Sequence, residues 1–142
     1  MGCRHGLGLI FFLIWSFFGV AQKPLNIYGG KDHDVFLGCL NCNSMAPASI
    51  WNAYGTYGSK YSATSIWNKY ATYGSDYGDN SPFNQHASYP PAIVDKDGNF
   101  FGYLTVNEYH EKRAEFPLAV TICKFYDMIR DDVSKWYDKI FK

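Results

Sequence analysis

Charge is scarce in this chain. Of 142 residues only 18% are charged, and 13 Lys and Arg stand against 13 Asp and Glu, a balance of zero. Nucleic-acid binders neutralise phosphates with clustered Lys and Arg, so the lack of a basic stripe argues against that class of partner. Glycine-rich phosphate loops, a G-x-S-x-G elbow and an H-E-x-x-H helix are all missing, and the reading leans away from an enzyme, with no catalytic residue nominated. His33, His86 and His110 stand alone in polar stretches. With no second C-x-x-C and no H-x-x-x-H, zinc lacks four ligands. Calcium fails on register: an EF-hand loop counted back from Gly98 begins at Ile93 and ends at Leu104, neither of which is a ligand. No metal and no cofactor is expected.

Aromatic residues, by contrast, are abundant. They make up 19% of the chain, with 12 Tyr, 11 Phe and four Trp, and so much apolar surface must be buried in a folded core. Arg4 and His5 precede an apolar run of 15 residues from Gly6 to Val20, which closes on Gly19-Val20-Ala21. A charged start, an apolar centre and a small-x-small end predict an export signal over 1–21. The run falls short of the about 20 residues that span a bilayer, so no stable membrane span is expected after cleavage. Residues 22–142 then read as one secreted or periplasmic domain.

Loss of the signal removes Cys3 and leaves Cys39, Cys42 and Cys123. Three pairings are open in an oxidising compartment, and each strands one thiol. Cys39-Leu40-Asn41-Cys42 has the C-x-x-C spacing of thiol-disulfide exchange proteins, whose first thiolate is stabilised at a helix N-terminus. Here a strand-like run precedes the pair and the loop Asn43-Ser44-Met45-Ala46-Pro47 follows it. A structural disulfide or buried thiols are the expectation, with thiol exchange the alternative.

The most informative feature is a repeat of 16 residues. Ser49-Ile50-Trp51-Asn52 begins one copy and Ser65-Ile66-Trp67-Asn68 the next, and ten of 16 positions match. A degraded third copy starts at Ser81-Pro82-Phe83-Asn84 and stops at Pro90-Pro91. Gly-Ser pairs break each copy, so this is neither regular helix nor strand. Ser49, Ser65 and Ser81 are positioned to cap short turns, with the following Asn bonding back to the backbone. A copy cannot bury its own large rings, so copies must pack on one another or on a sheet.

Two hairpins flank the repeat segment at 49–91. Asp97-Gly98 between the apolar runs Ala92-Ile93-Val94 and Phe100-Phe101 specifies a tight turn. Asn26 to Leu40 repeats the arrangement with a looser turn, and Leu37-Gly38-Cys39-Leu40 matches Phe101-Gly102-Tyr103-Leu104. Gly inside a strand marks close approach by something bulky, here expected to be the Trp51 and Trp67 rings. Beyond Pro117, Leu118, Ile122, Phe125, Ile129, Val133, Trp136 and Ile140 recur at helical spacing, predicting one amphipathic helix over 118–141 that packs on the sheet.

Runs of the form Ser-Ile-Trp-Asn-x-Tyr-Gly-x-Tyr-Gly-Ser-x-Tyr, followed by Asp95-Lys96-Asp97-Gly98-Asn99-Phe100-Phe101-Gly102-Tyr103, resemble a group of small exported bacterial proteins of unassigned function. The resemblance covers roughly residues 27 to 106 and implies export without implying any activity or catalytic residue. The sequence thus predicts an α+β fold: a small antiparallel sheet from two hairpins, the aromatic repeat inserted between them, and one C-terminal helix. A non-catalytic binding or structural accessory role is expected, for a glycan, a peptide or another exported protein. Flat rings beside short amides suit such ligands, which nominates Trp51, Asn52, Trp67, Asn68, Tyr57 and Tyr73.

Overall fold

The computed structural model describes residues 23–142; the export segment expected over 1–21 lies outside the described residues. Alternating apolar residues close into two hairpins. The first joins β1 (Asn26–Gly29) to β2 (Val35–Cys39), and the second joins β3 (Ala92–Val94) to β4 (Phe100–Tyr103). They combine into one antiparallel sheet of order β2-β1-β3-β4, so the expected α+β arrangement is the one that forms. The second turn differs in detail. Gly98, at φ +83°, donates to the Asp95 carbonyl at 3.1 Å, and the Asp95 N–H donates to the Asn99 carbonyl at 3.1 Å. The bend is therefore centred on Lys96-Asp97, with Gly98 as the left-handed residue that follows. Asp95 braces it by accepting from the Asn99 side-chain amide and from the N–H groups of Asn99 and Asp97, each at 2.9 Å. Those donors, the Asn99 amide foremost, hold its carboxyl below the usual carboxylate range.

The two hairpins are related by a local two-fold between Ile27 and Ile93. These residues pair with each other, flanked by Asn26 with Val94 and Tyr28 with Ala92. Asn26 faces Cys39 in one hairpin as Ala92 faces Tyr103 in the other. The likeness continues past the strands: Ile50 donates to the Cys39 carbonyl at 3.1 Å, and Ala114 donates to the Tyr103 carbonyl at 2.8 Å. Gly38 (φ +116°) and Gly102 (φ +110°) occupy matching left-handed positions. A Cβ on Gly38 would lie 2.8 Å from Ile50 Cγ2 and from Tyr57 Cβ, whereas one on Gly102 would lie 2.7 Å from Ala114 Cα. What approaches each glycine is thus the chain returning after its own hairpin, not the expected Trp51 and Trp67 rings.

Between the hairpins the backbone forms a ladder of three-residue turns. Asn52 donates to the Ser49 carbonyl at 3.3 Å, Gly55 to Asn52 at 2.9 Å, and the pattern runs on to Ala87, which donates to Asn84 at 3.1 Å. At Gly58-Ser59 and Gly74-Ser75 both N–H groups share one carbonyl, that of Gly55 or Ala71, and one extra residue enters. Five turns plus one residue make the 16-residue coil. Ser49, Ser65 and Ser81 accept from the N–H groups of Trp51, Trp67 and Phe83 at 3.0, 3.1 and 3.1 Å. These are the side-chain turns the sequence predicts.

Each coil buries its large ring by stacking it on the next. Trp51 and Trp67 have centroids 5.7 Å apart, Trp67 and Phe83 5.8 Å, and Phe83 lies on Tyr126 at 4.4 Å. The indole N–H of Trp51 donates to the Leu40 carbonyl and that of Trp67 to the Ile50 carbonyl, both at 2.7 Å. No buried donor on these rings goes unmet.

The apolar periodicity over 118–141 is delivered as two helices, α1 (Pro117–Asp131) and α2 (Val133–Phe141). Asp132 interrupts them because its backbone is extended (φ −151°, ψ 82°) and its carboxylate caps α2 by accepting from the Lys135 N–H at 3.1 Å, a role in which Asp is favoured. The bend lets α1 place Tyr126 on Phe83 while α2 brings Tyr137 and Phe141 to Trp51, at 6.2 and 5.6 Å. Both helices lean on the stacked rings rather than on the strands, contrary to the expected helix-on-sheet packing. Among the described residues no helix is long and apolar enough to cross a membrane.

Candidate functional site

Most of the residues nominated from the sequence serve the fold, although Trp67 and Asn68 also line the central hollow described below. Trp51 and Trp67 are 0% and 1% exposed, so neither offers a face for a ligand to stack on. The amides of Asn52 and Asn68 are spent at both ends. Their Oδ1 atoms accept from the N–H groups of Tyr54 (3.2 Å) and Tyr70 (3.1 Å), and their Nδ2 atoms donate to the Ala46 (3.2 Å) and Ser62 (3.0 Å) carbonyls. Tyr57 meets Phe36 of β2 edge to face at 4.9 Å, and Tyr73 lies against Gly29 of β1. They are wedges between ladder and sheet.

A different set of tyrosines faces outward. Tyr54, Tyr61, Tyr70 and Tyr77 are 98%, 83%, 87% and 92% exposed. Three adjoining hollows lie along them. The central one, about 370 Å³, has Tyr61 and Tyr70 on its walls together with Lys60 and Lys69. On one side Tyr61 leads to a hollow of about 220 Å³ containing Tyr54, and on the other Tyr70 leads to one of about 480 Å³ containing Tyr77. Arg130 of α1 lines all three. Exposed rings concentrated along one groove are uncommon on a surface with no partner.

Arg130 is 4% exposed. Its guanidinium donates to the Gly74 carbonyl at 3.1 Å and to Asp76 at 3.2 Å, and sits over the Phe83 and Tyr126 rings at 5.6 and 5.1 Å. Its Nε is buried and donates to nothing among the described residues. The first helix, the second coil and the third coil's ring are thus tied together by one cation.

Sequence reasoning missed these residues for a definable reason. Trp51, Tyr54, Tyr57 and Tyr61 all hold the same place, third in their turn, and only the turn's position around the coil decides which points inward. The available signal was the step of three between the aromatics and its reset at each Gly-Ser.

Cys39 and Cys42 are joined in a disulfide with Cα atoms 5.5 Å apart, and Cys123 is a free, buried thiol. Of the three pairings left open, this one strands Cys123. The pair closes the junction where β2 passes into the turn ladder; Cys39 is 1% exposed and no helix starts beside it. Burial pushes the Cys123 thiol up to about 11. No family model matches the chain, and no curated protein and no solved structure is significantly similar to it.

Proposed function

We propose that this chain is an exported, non-catalytic binding module that holds a glycan along the tyrosine-lined groove. The observation that carries the reading is the row Tyr54, Tyr61, Tyr70 and Tyr77, nearly free of protein contact and serving a continuous run of hollows. Flat phenol faces stack against the apolar faces of sugar rings, while their hydroxyls remain free to exchange hydrogen bonds. Export accords with the disulfide, a bond that persists in oxidising compartments. Retention of the full chain on insoluble polysaccharides, or its retardation in gels containing soluble ones, tests the reading. Tyr61→Ala/Tyr70→Ala is expected to abolish retention, and Met45→Ala, an exposed residue away from the groove, to leave it intact. Retention that survives loss of both tyrosines would refute the groove as the site.

A further inference from the structure

The central hollow holds Lys60 and Lys69 against the single acid Asp131, a surplus that would select among glycans. We infer that this hollow receives the carboxylate or sulfate groups of an acidic glycan, with Lys60 and Lys69 as counter-charges; this deepens the glycan reading and rests on it.

Lys60 and Lys69 belong to successive coils and share one hollow with Tyr61 and Tyr70. Both are exposed, and neither lies within ion-pair distance of a carboxylate among the described residues. Each ammonium instead stands near the ring of the tyrosine that follows it, at 5.6 Å from Tyr61 and 5.4 Å from Tyr70. Beneath them Arg130 also lines the hollow, but its charge is met by Asp76 at 3.2 Å and Asp127 at 4.0 Å. Asp131 is the acid that lines the central hollow, while Asp132 and Asp76 line the two flanking ones.

These charges are not a by-product of the repeat. Lys60 corresponds to Asp76 in the next copy, and Lys69 corresponds to Ala53 in the copy before. The cations therefore gather at one coil boundary instead of recurring along the groove. Once the export segment is removed the chain carries 12 Lys and Arg against 13 Asp and Glu, so the patch is a local positive field on a slightly negative molecule. A negative group on a polymer would find its counter-charges at this hollow. Stacking faces alternating with cations suit a sugar chain bearing negative groups better than a neutral one.

The full chain is run through native gels containing polygalacturonate, alginate or chondroitin sulfate, and in parallel through gels containing xylan, mixed-linkage β-glucan or methyl-esterified polygalacturonate. At least one acidic polymer is expected to bind about tenfold more tightly than its uncharged counterparts. Lys60→Ala and Lys69→Ala should each weaken that binding by about fivefold, the scale of one exposed charge pair, and 0.5 M salt should do the same as the double variant. Tyr61→Ala/Tyr70→Ala should reduce binding to every polymer. Equal binding of charged and neutral polymers overturns this inference and leaves the glycan reading standing. Failure to bind any polymer overturns both. Tighter binding to an oligothymidylate than to any glycan overturns both in favour of single-stranded nucleic acid, which also pairs stacking rings with cations.

Discussion

Cys123 shows how a single buried group sets a limit on where the fold is stable. Its thiol belongs to the buried core, and burial raises its pKa from 9.0 to about 11. A raised pKa means that the folded state favours the protonated thiol. The contribution is complete below about pH 9 and disappears as pH climbs through about 11, a change on the order of 3 kcal/mol. Unfolding free energies measured between pH 8.5 and 11 should therefore fall more steeply for the native chain than for Cys123→Ala. Parallel slopes would show that the thiol ionises as freely inside the fold as outside it. The odd cysteine and a buried place for it were legible in the sequence, since Cys123 adjoins the apolar stripe of α1; which of the three cysteines would be left unpaired was not. The same limit explains the tyrosines. Tyr57 and Tyr61 are chemically alike and four residues apart, yet one wedges against Phe36 and the other stands in water.

At the scale of the element, the coil is defined by where it slips. Gly58 and Gly74 are the residues at which a sixteenth position enters, and a methyl group on either would overlap a backbone carbonyl, that of Asn52 or of Asn68. Backbone cannot move aside as a flexible side chain can. Gly58→Ala is expected to destabilise the chain by about 3 kcal/mol, at the upper end of overpacking effects. Gly55→Ala should cost less, since its Cβ would meet only the Asn52 side chain, at 3.1 Å. Denaturant midpoints compare the two, and equal losses would mean that the slip residue carries no special constraint. The repeat, its Ser and Asn turns and both hairpins could be read from sequence because each depends on contacts within a few residues. The helix break could not, because Leu118 to Ile140 keep one apolar rhythm across it. Asp132 caps α2 only because Tyr126 and Tyr137 must reach opposite ends of the ring stack.

The whole molecule is two related halves that diverge after their hairpins. Both make two turns after the hairpin, from Asn43 to Ser49 and from Asn107 to Arg113; the first half then continues into three coils, whereas the second is diverted at Pro117 into α1. This relation turns the disulfide into a testable quantity. Cys39 corresponds to Tyr103 and Cys42 to Val106, and the second junction closes with the same backbone hydrogen bonds and no covalent link. The Cys39–Cys42 bond spans a sequence separation of three, so the entropy it removes from the unfolded chain is small, about 2 kcal/mol in loop-closure terms. Cys39→Ala/Cys42→Val should accordingly fold and lose about 2 kcal/mol, seen as a lower denaturant midpoint at unchanged slope. The hydrogen bonds of Leu40 to Leu25 and of Ile50 to Cys39 would then be sufficient to turn β2 into the ladder, as their counterparts at Leu104 and Ala114 are in the other half. A variant that fails to fold would mean that the junctions are not equivalent: the first must bear the weight of three coils, and would need the covalent bond to do so.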